Sequence, residues 1–136
     1  MNLLYKSTRD AEKTVTASQA ILKGLADDGG LFVPVSIPKL PVSLGELKEM
    51  TYQEIAYTVM KEFLTDFTEE ELKSCIAKAY DSKFDTEEIA PLAKVEDAYY
   101  LELFHGATIA FKDMALSILP HLLITSAKKN NVKNEI

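Results

Sequence analysis

The chain of 136 residues has no tryptophan, one cysteine, one arginine, two histidines and five glycines. Each shortage narrows the reading. A lone Cys75 excludes an internal disulfide framework and a cysteine-rich zinc site. His105 and His121 stand sixteen residues apart, which is not a helical metal-binding spacing. None of the five glycines forms a phosphate-cradling G-x-G-x-x-G loop. With Arg9 as the only arginine, no bidentate guanidinium clamp for an anion is evident. No apolar run reaches the roughly 20 residues of a membrane helix. The start, Met1-Asn2-Leu3-Leu4-Tyr5-Lys6, has no signal-peptide apolar core or small-residue cleavage site. The expectation is a reduced, soluble, cytoplasmic protein without a membrane partner.

What is present is ordinary globular composition, with 47% hydrophobic and 26% charged residues. The formal charge is −6 and the pI about 4.9, which argues against a nucleic-acid partner. That charge is uneven. Residues 1–45 hold five basic and four acidic side chains, residues 46–102 six and fifteen, and residues 103–136 four and two. The acidity therefore belongs to the middle, where solvated helix faces account for it.

Local signals divide the chain. Residues 2–7 read as a short strand, and Thr16 or Ser18 caps a short helix that runs to Gly24. Asp27-Asp28-Gly29-Gly30 is a turn cluster, followed by a brief extended stretch, Leu31-Phe32-Val33-Pro34. Pro34, Pro38 and Pro41 keep residues 34–42 extended. Three capping boxes follow: Ser43 with Glu46, Thr51 with Glu54, and Thr68 with Glu71. The second opens a helix with an apolar stripe of Ile55, Ala56, Val59, Met60, Phe63 and Leu64. The third opens one striped by Leu72, Cys75, Ile76, Ala79 and Tyr80, where Cys75 reads as a core residue and not a nucleophile.

A polar break at Asp81-Ser82-Lys83 and Asp85-Thr86 suggests a domain border, with one domain over 1–82 and the start of another over 83–136. Beyond it, Ala93–Glu96 and Tyr99–Leu103 flank Asp97-Ala98 as a strand hairpin. A helix is expected from about Ala110 to Lys129, apolar around nearly its whole circumference and so buried on several sides. Pro120 inside it predicts a kink or a restart near that residue. Val132–Ile136 reads as a turn entering a strand.

The stretch with chemical content is Phe104-His105-Gly106-Ala107-Thr108-Ile109-Ala110-Phe111-Lys112-Asp113, joining strand to helix. Gly106 permits a tight backbone, and Thr108 is placed to cap the helix. Lys112 then falls in the first helical turn, where a cation opposes the helix dipole, and Phe111 and Met114 flank it. Both effects favour the neutral amine that a Schiff-base lysine needs. Spacing alone leaves a second reading open, a surface lysine whose stem lies on Phe111.

The run Leu101 to Asp113 resembles the pyridoxal-phosphate lysine motif of the threonine synthases. Gly24-Leu25-Ala26-Asp27-Asp28-Gly29-Gly30-Leu31-Phe32-Val33-Pro34 and Tyr5-Lys6-Ser7-Thr8-Arg9 resemble the same family's N-terminal signatures. The resemblance implies an α/β protein: an N-terminal helix-rich domain plus the beginning, a hairpin and a long helix, of a fold type II PLP-enzyme core. It implies that Lys112 forms the Schiff base with pyridoxal 5'-phosphate, and that His105, Gly106, Thr108, Phe111 and Asp113 lie near the cofactor. It also implies a lyase that converts O-phospho-L-homoserine and water to L-threonine and phosphate. The family usually has proline where this chain has Ala107, a change expected to loosen that turn. The family's later glycine-rich phosphate loop has no counterpart here, so the chain is expected to be an N-terminal piece of a longer enzyme, inactive and prone to self-association by itself. A non-catalytic helical interaction module, or another PLP-dependent lyase of the same fold group, are the alternatives.

Overall fold

The computed structural model describes residues 2–133. Its first unit is a small antiparallel sheet in the order β2-β1-β3, from β1 (Tyr5–Ser7), β2 (Thr14–Val15) and β3 (Phe32–Pro34). The turn cluster between β1 and β3 closes it. Asp28 Oδ1 accepts hydrogen bonds from Ser7 Oγ at 2.8 Å and from the Gly30 amide at 2.8 Å. Gly29 takes a positive φ of 78°. Gly30 has no room for a side chain, because a Cβ there would run into Ser7 Oγ. Arg9 Nη1 donates to the Asp28 carbonyl at 3.0 Å, so the two N-terminal signatures form one hydrogen-bonded unit.

Helices α1 (Ala17–Lys23), α2 (Leu44–Leu47), α3 (Tyr52–Phe63) and α4 (Glu69–Ala79) start where the caps indicate. The boxes at Ser43, Thr51 and Thr68 are all formed, each with its glutamate bonding back to the cap amide. Thr16 and Gln19 make a fourth. The α4 stripe is buried at Leu72, Cys75, Ile76 and Ala79, the i, i+3, i+4, i+7 positions of one helical face. Helix α3 lies against it through Ala56, Tyr57 and Met60. Tyr5 Oη donates to the Phe63 carbonyl at 2.9 Å, which ties the sheet to the end of α3.

The second part contains a hairpin, β4 (Leu92–Val95) with β5 (Ala98–Leu101), and two helices, α5 (Asp113–Leu116) and α6 (Leu119–Lys129). The hairpin turn falls on Glu96-Asp97, one residue before the expected Asp97-Ala98, and Glu96 adopts φ 54° to make it. The expected long helix is two. Pro120 lies in the first turn of α6, where helical amides have no intrahelical acceptor, so its missing N–H is no loss. The expected burial on several sides is not met: Leu122, Ser126 and Ala127 are buried, while Leu116, Leu119 and Ile124 are exposed.

Helix α6 lies on α1 and α4. Small residues, Ala17, Ser18 and Ala20 on α1 with Ser126 and Ala127 on α6, allow the two backbones to approach closely. Asn130 Nδ2 donates to Ser18 Oγ at 3.0 Å, and Lys129 Nζ pairs with Glu71 Oε2 at 2.9 Å. The core gathers Phe67, Leu72, Cys75, Ile76, Ala79 and Tyr80 with Phe84, Ile89, Ile118 and Leu122, so residues from both sides of position 82 share it. Val132 and Lys133 belong to no strand, and Asn134–Ile136, the rest of the strand expected there, lie outside the described residues. Among the described residues no helix is long and apolar enough to cross a membrane.

Candidate functional site

The Lys112 segment is a loop held at both ends. It leaves β5, where the Glu102 amide still bonds to the Pro91 carbonyl at 3.0 Å, and it enters α5 at Asp113. Its turns are closed by Ile109 N–H to the Gly106 carbonyl at 3.0 Å and by Asp113 N–H to the Ala110 carbonyl at 3.0 Å. Ile109 takes φ 64°, a left-handed conformation that a β-branched residue adopts only when its surroundings hold it there.

Asp113 does the holding. Its carboxylate accepts from the Thr108 amide at 2.7 Å and from Thr108 Oγ1 at 2.6 Å. The side chain is buried and lies against Gly106, where an added Cβ would sit 2.5 Å from Asp113 Cβ. Gly106 is therefore required by close approach. Thr108 was expected to cap the helix with its own oxygen; instead its hydroxyl donates to Asp113, and α5 has no side-chain cap.

Lys112 stands one position ahead of the first α5 residue, as its N-cap, and not within the first turn as expected. Its side chain is exposed, as are Phe111 and Ile109, so the expected partial desolvation is absent in this structure. The reason lies in the loop. Asp113 turns inward to take up the Thr108 donors, and the residue before it points outward. None of the described ion pairs uses the Lys112 amine. Its backbone carbonyl accepts from Leu116 at 2.8 Å, which fixes the main chain under an uncommitted side chain.

The loop is fastened to the core on each side. Downstream, buried Tyr80 donates its hydroxyl to the Met114 carbonyl at 2.8 Å, and burial holds that phenol well above its ordinary pKa. Upstream, His105 is held by carboxylates on both ring nitrogens, Asp85 on Nδ1 and Glu102 on Nε2. Phe104 stacks on its ring at 4.6 Å. Of the residues singled out in the sequence, Gly106, Thr108 and Asp113 come together in direct contact. His105 stands beside them, while Lys112 and Phe111 project outward. Asp85 and Glu102 were not singled out. The histidine twenty residues beyond Asp85 gave no periodic signal, although Glu102 three residues before His105 was a readable pairing.

A groove of about 820 Å³ runs beside Asp85, between the start of α3 and the segment before β4. Lys112 does not line it.

The fold recurs in known proteins. The family model of the threonine synthase N terminus matches residues 4–80. Threonine synthase of Schizosaccharomyces pombe is 40% identical over 136 residues, covering 96% of this chain and 26% of the relative. Human threonine synthase-like 1 is 40% identical over 123 residues, covering 83% of this chain and 16% of its own length. The crystal structure of threonine synthase from yeast superposes with a TM-score of 0.85 at 32% identity, covering 98% of this chain and 28% of that one. PLP-bound threonine synthase from Brucella melitensis superposes at 0.84 and 29% identity, covering 96% and 28%. The chain belongs to the threonine synthase family. It spans about a quarter of the length of such relatives.

Proposed function

We propose that this chain is the N-terminal part of a threonine synthase in which Lys112 holds pyridoxal 5'-phosphate. The observation that carries the reading is the loop: an exposed, unpaired primary amine between Gly106 and Asp113, with Asp113 fixed by two bonds from Thr108. A primary amine on an anchored backbone suits the aldehyde end of the cofactor. The phosphate end finds no matching glycine-rich cradle in these residues, so they fit one end of the group only. When bound, pyridoxal phosphate supplies an electron sink for the substrate carbon.

The chain's own residues divide the remaining work. Lys112 binds, and as a free amine takes or returns a proton at Nζ. Asp113 and Thr108 orient its backbone. Phe111 presents an apolar face beside it. His105, expected near the cofactor, is engaged by Asp85 and Glu102 and acts through the loop. The reaction is conversion of O-phospho-L-homoserine and water to L-threonine and phosphate, a carbon–oxygen lyase reaction, in the cytoplasm. Residues 1–82 form the N-terminal domain, and residues 83–136 begin the cofactor-binding one. By itself the chain self-associates through its exposed apolar surface from β5 to α6 and turns over no substrate.

The test uses the full reading frame that contains this chain. Added pyridoxal phosphate is expected to give a visible absorption band that is lost in Lys112→Ala. A band that persists in the variant removes Lys112 from the role.

A further inference from the structure

His105 is held on both edges of its ring. Nδ1 meets Asp85 Oδ1, and Nε2 lies 2.9 Å from Glu102 Oε2. The two carboxylates come from different segments, Asp85 from the stretch between α4 and β4 and Glu102 from just beyond β5. A main-chain bond doubles the first link, with the Asp85 amide donating to the His105 carbonyl at 3.1 Å. Only 15% of the histidine side chain is exposed, so the ring sits in its place between them and under Phe104.

An ionised carboxylate only accepts hydrogen bonds. Both contacts can be hydrogen bonds only if both ring nitrogens carry a proton, which is the imidazolium. The neutral ring has one N–H and one lone pair, and the lone pair would face a carboxylate.

We propose that His105 is a cationic positioning residue, which fastens the upstream end of the Lys112 loop to Asp85 and Glu102 and releases it when the ring loses its second proton. The mechanical link is short. Gly106 follows His105 directly, the space where its Cβ would stand is taken by the Asp113 side chain, and Asp113 adjoins Lys112. A shift of His105 therefore reaches the lysine through one close approach, Gly106 against Asp113, and the chain bonds on either side of it. The consequence for cofactor uptake rests on the reading of Lys112 given above.

The charged groups facing the ring are Glu102 and Asp85. Hydrogen bonds donated to both raise its pKa above the ordinary value, and burial opposes them. A raised histidine pKa means that the folded loop gains from the proton. That gain is complete below the ordinary value of about 6.5 and is lost as pH rises through the raised one.

Amide hydrogen exchange over residues 106–113 of the full-length protein, corrected for intrinsic rates, tests the clamp without reference to cofactor. Protection is expected to fall about tenfold between about pH 6 and about pH 9. Asp85→Asn should move the midpoint of that fall to lower pH by about one unit, and Glu102→Gln should do the same. His105→Gln should show low protection at both pH values, with the α4 amides unchanged as the folding control. Equal protection at both pH values, or a midpoint unmoved in both carboxylate variants, overturns the proposal. The pH profile of the absorption band on adding pyridoxal phosphate is the second arm. It should follow the exchange profile, and a profile unmoved by Asp85→Asn overturns the link to Lys112. If the wild type gives no band at all, the cofactor reading fails, and the exchange data still decide the clamp.

Discussion

Helix α4 and strand β5 both carry an apolar surface, and the structure treats the two in opposite ways. Leu72, Cys75, Ile76 and Ala79 of α4 are at most 3% exposed, whereas every residue of β5 is exposed, with Tyr99, Tyr100 and Leu101 all above half. The difference is one of partners. Helix α4 lies between α3 and α6, while among the described residues β5 bonds only to β4, and no layer of them covers either face of that two-stranded ribbon. The α4 stripe is buried because α3 and α6 both pack on it, and the second of these comes from far along the chain. An apolar strand reports only that it needs a cover.

The sharpest way to break that contrast is truncation in α4. Leu72→Ala should destabilise by about 2–5 kcal/mol, since the site is enclosed and leaves a cavity. Chemical denaturation measures this, and a loss under about 1 kcal/mol would show that α4 is not the core element described. Next comes the loop. Gly106→Ala should cost about 1–3 kcal/mol, because the new methyl meets Asp113 and the Thr108 bonds must give way. Exchange of the Thr108 amide should quicken first, and unchanged exchange would refute the close-approach argument. Leu101→Ser should have the smallest effect on stability, within about 0.5 kcal/mol, because the side chain is already exposed. The same substitution should reduce self-association in sedimentation, and unchanged association removes β5 from the contact.

The four short helical starts show how much of the fold was legible. Ser43, Thr51 and Thr68 each announce a helix with a glutamate three residues on, and each cap is worth about 1 kcal/mol locally. The Thr16–Gln19 box was equally readable, since glutamine serves at that position as glutamate does. The border of the long C-terminal helix was readable in part: Pro120 marks a restart, yet apolar residues all around the helix gave no indication of which face would be buried. The Lys112 loop was the least legible. Its motif could be read residue by residue, but the inward turn of Asp113, the outward Lys112 and the two carboxylates on His105 are products of long-range packing.

The sequence by itself determined the local events: where helices start, where the Gly29-Gly30 turn falls, and which residues carry the lysine motif. Those depend on bonds between residues two to four apart and on the backbone freedom of single residues. Only the tertiary structure decided which apolar faces are covered and how the site loop is held. Asp85 and His105 are twenty residues apart, and Tyr80 and Met114 thirty-four. Such pairs have no period in the chain, and they meet only because α4, α6 and the segment that carries Phe84 and Ile89 share one core.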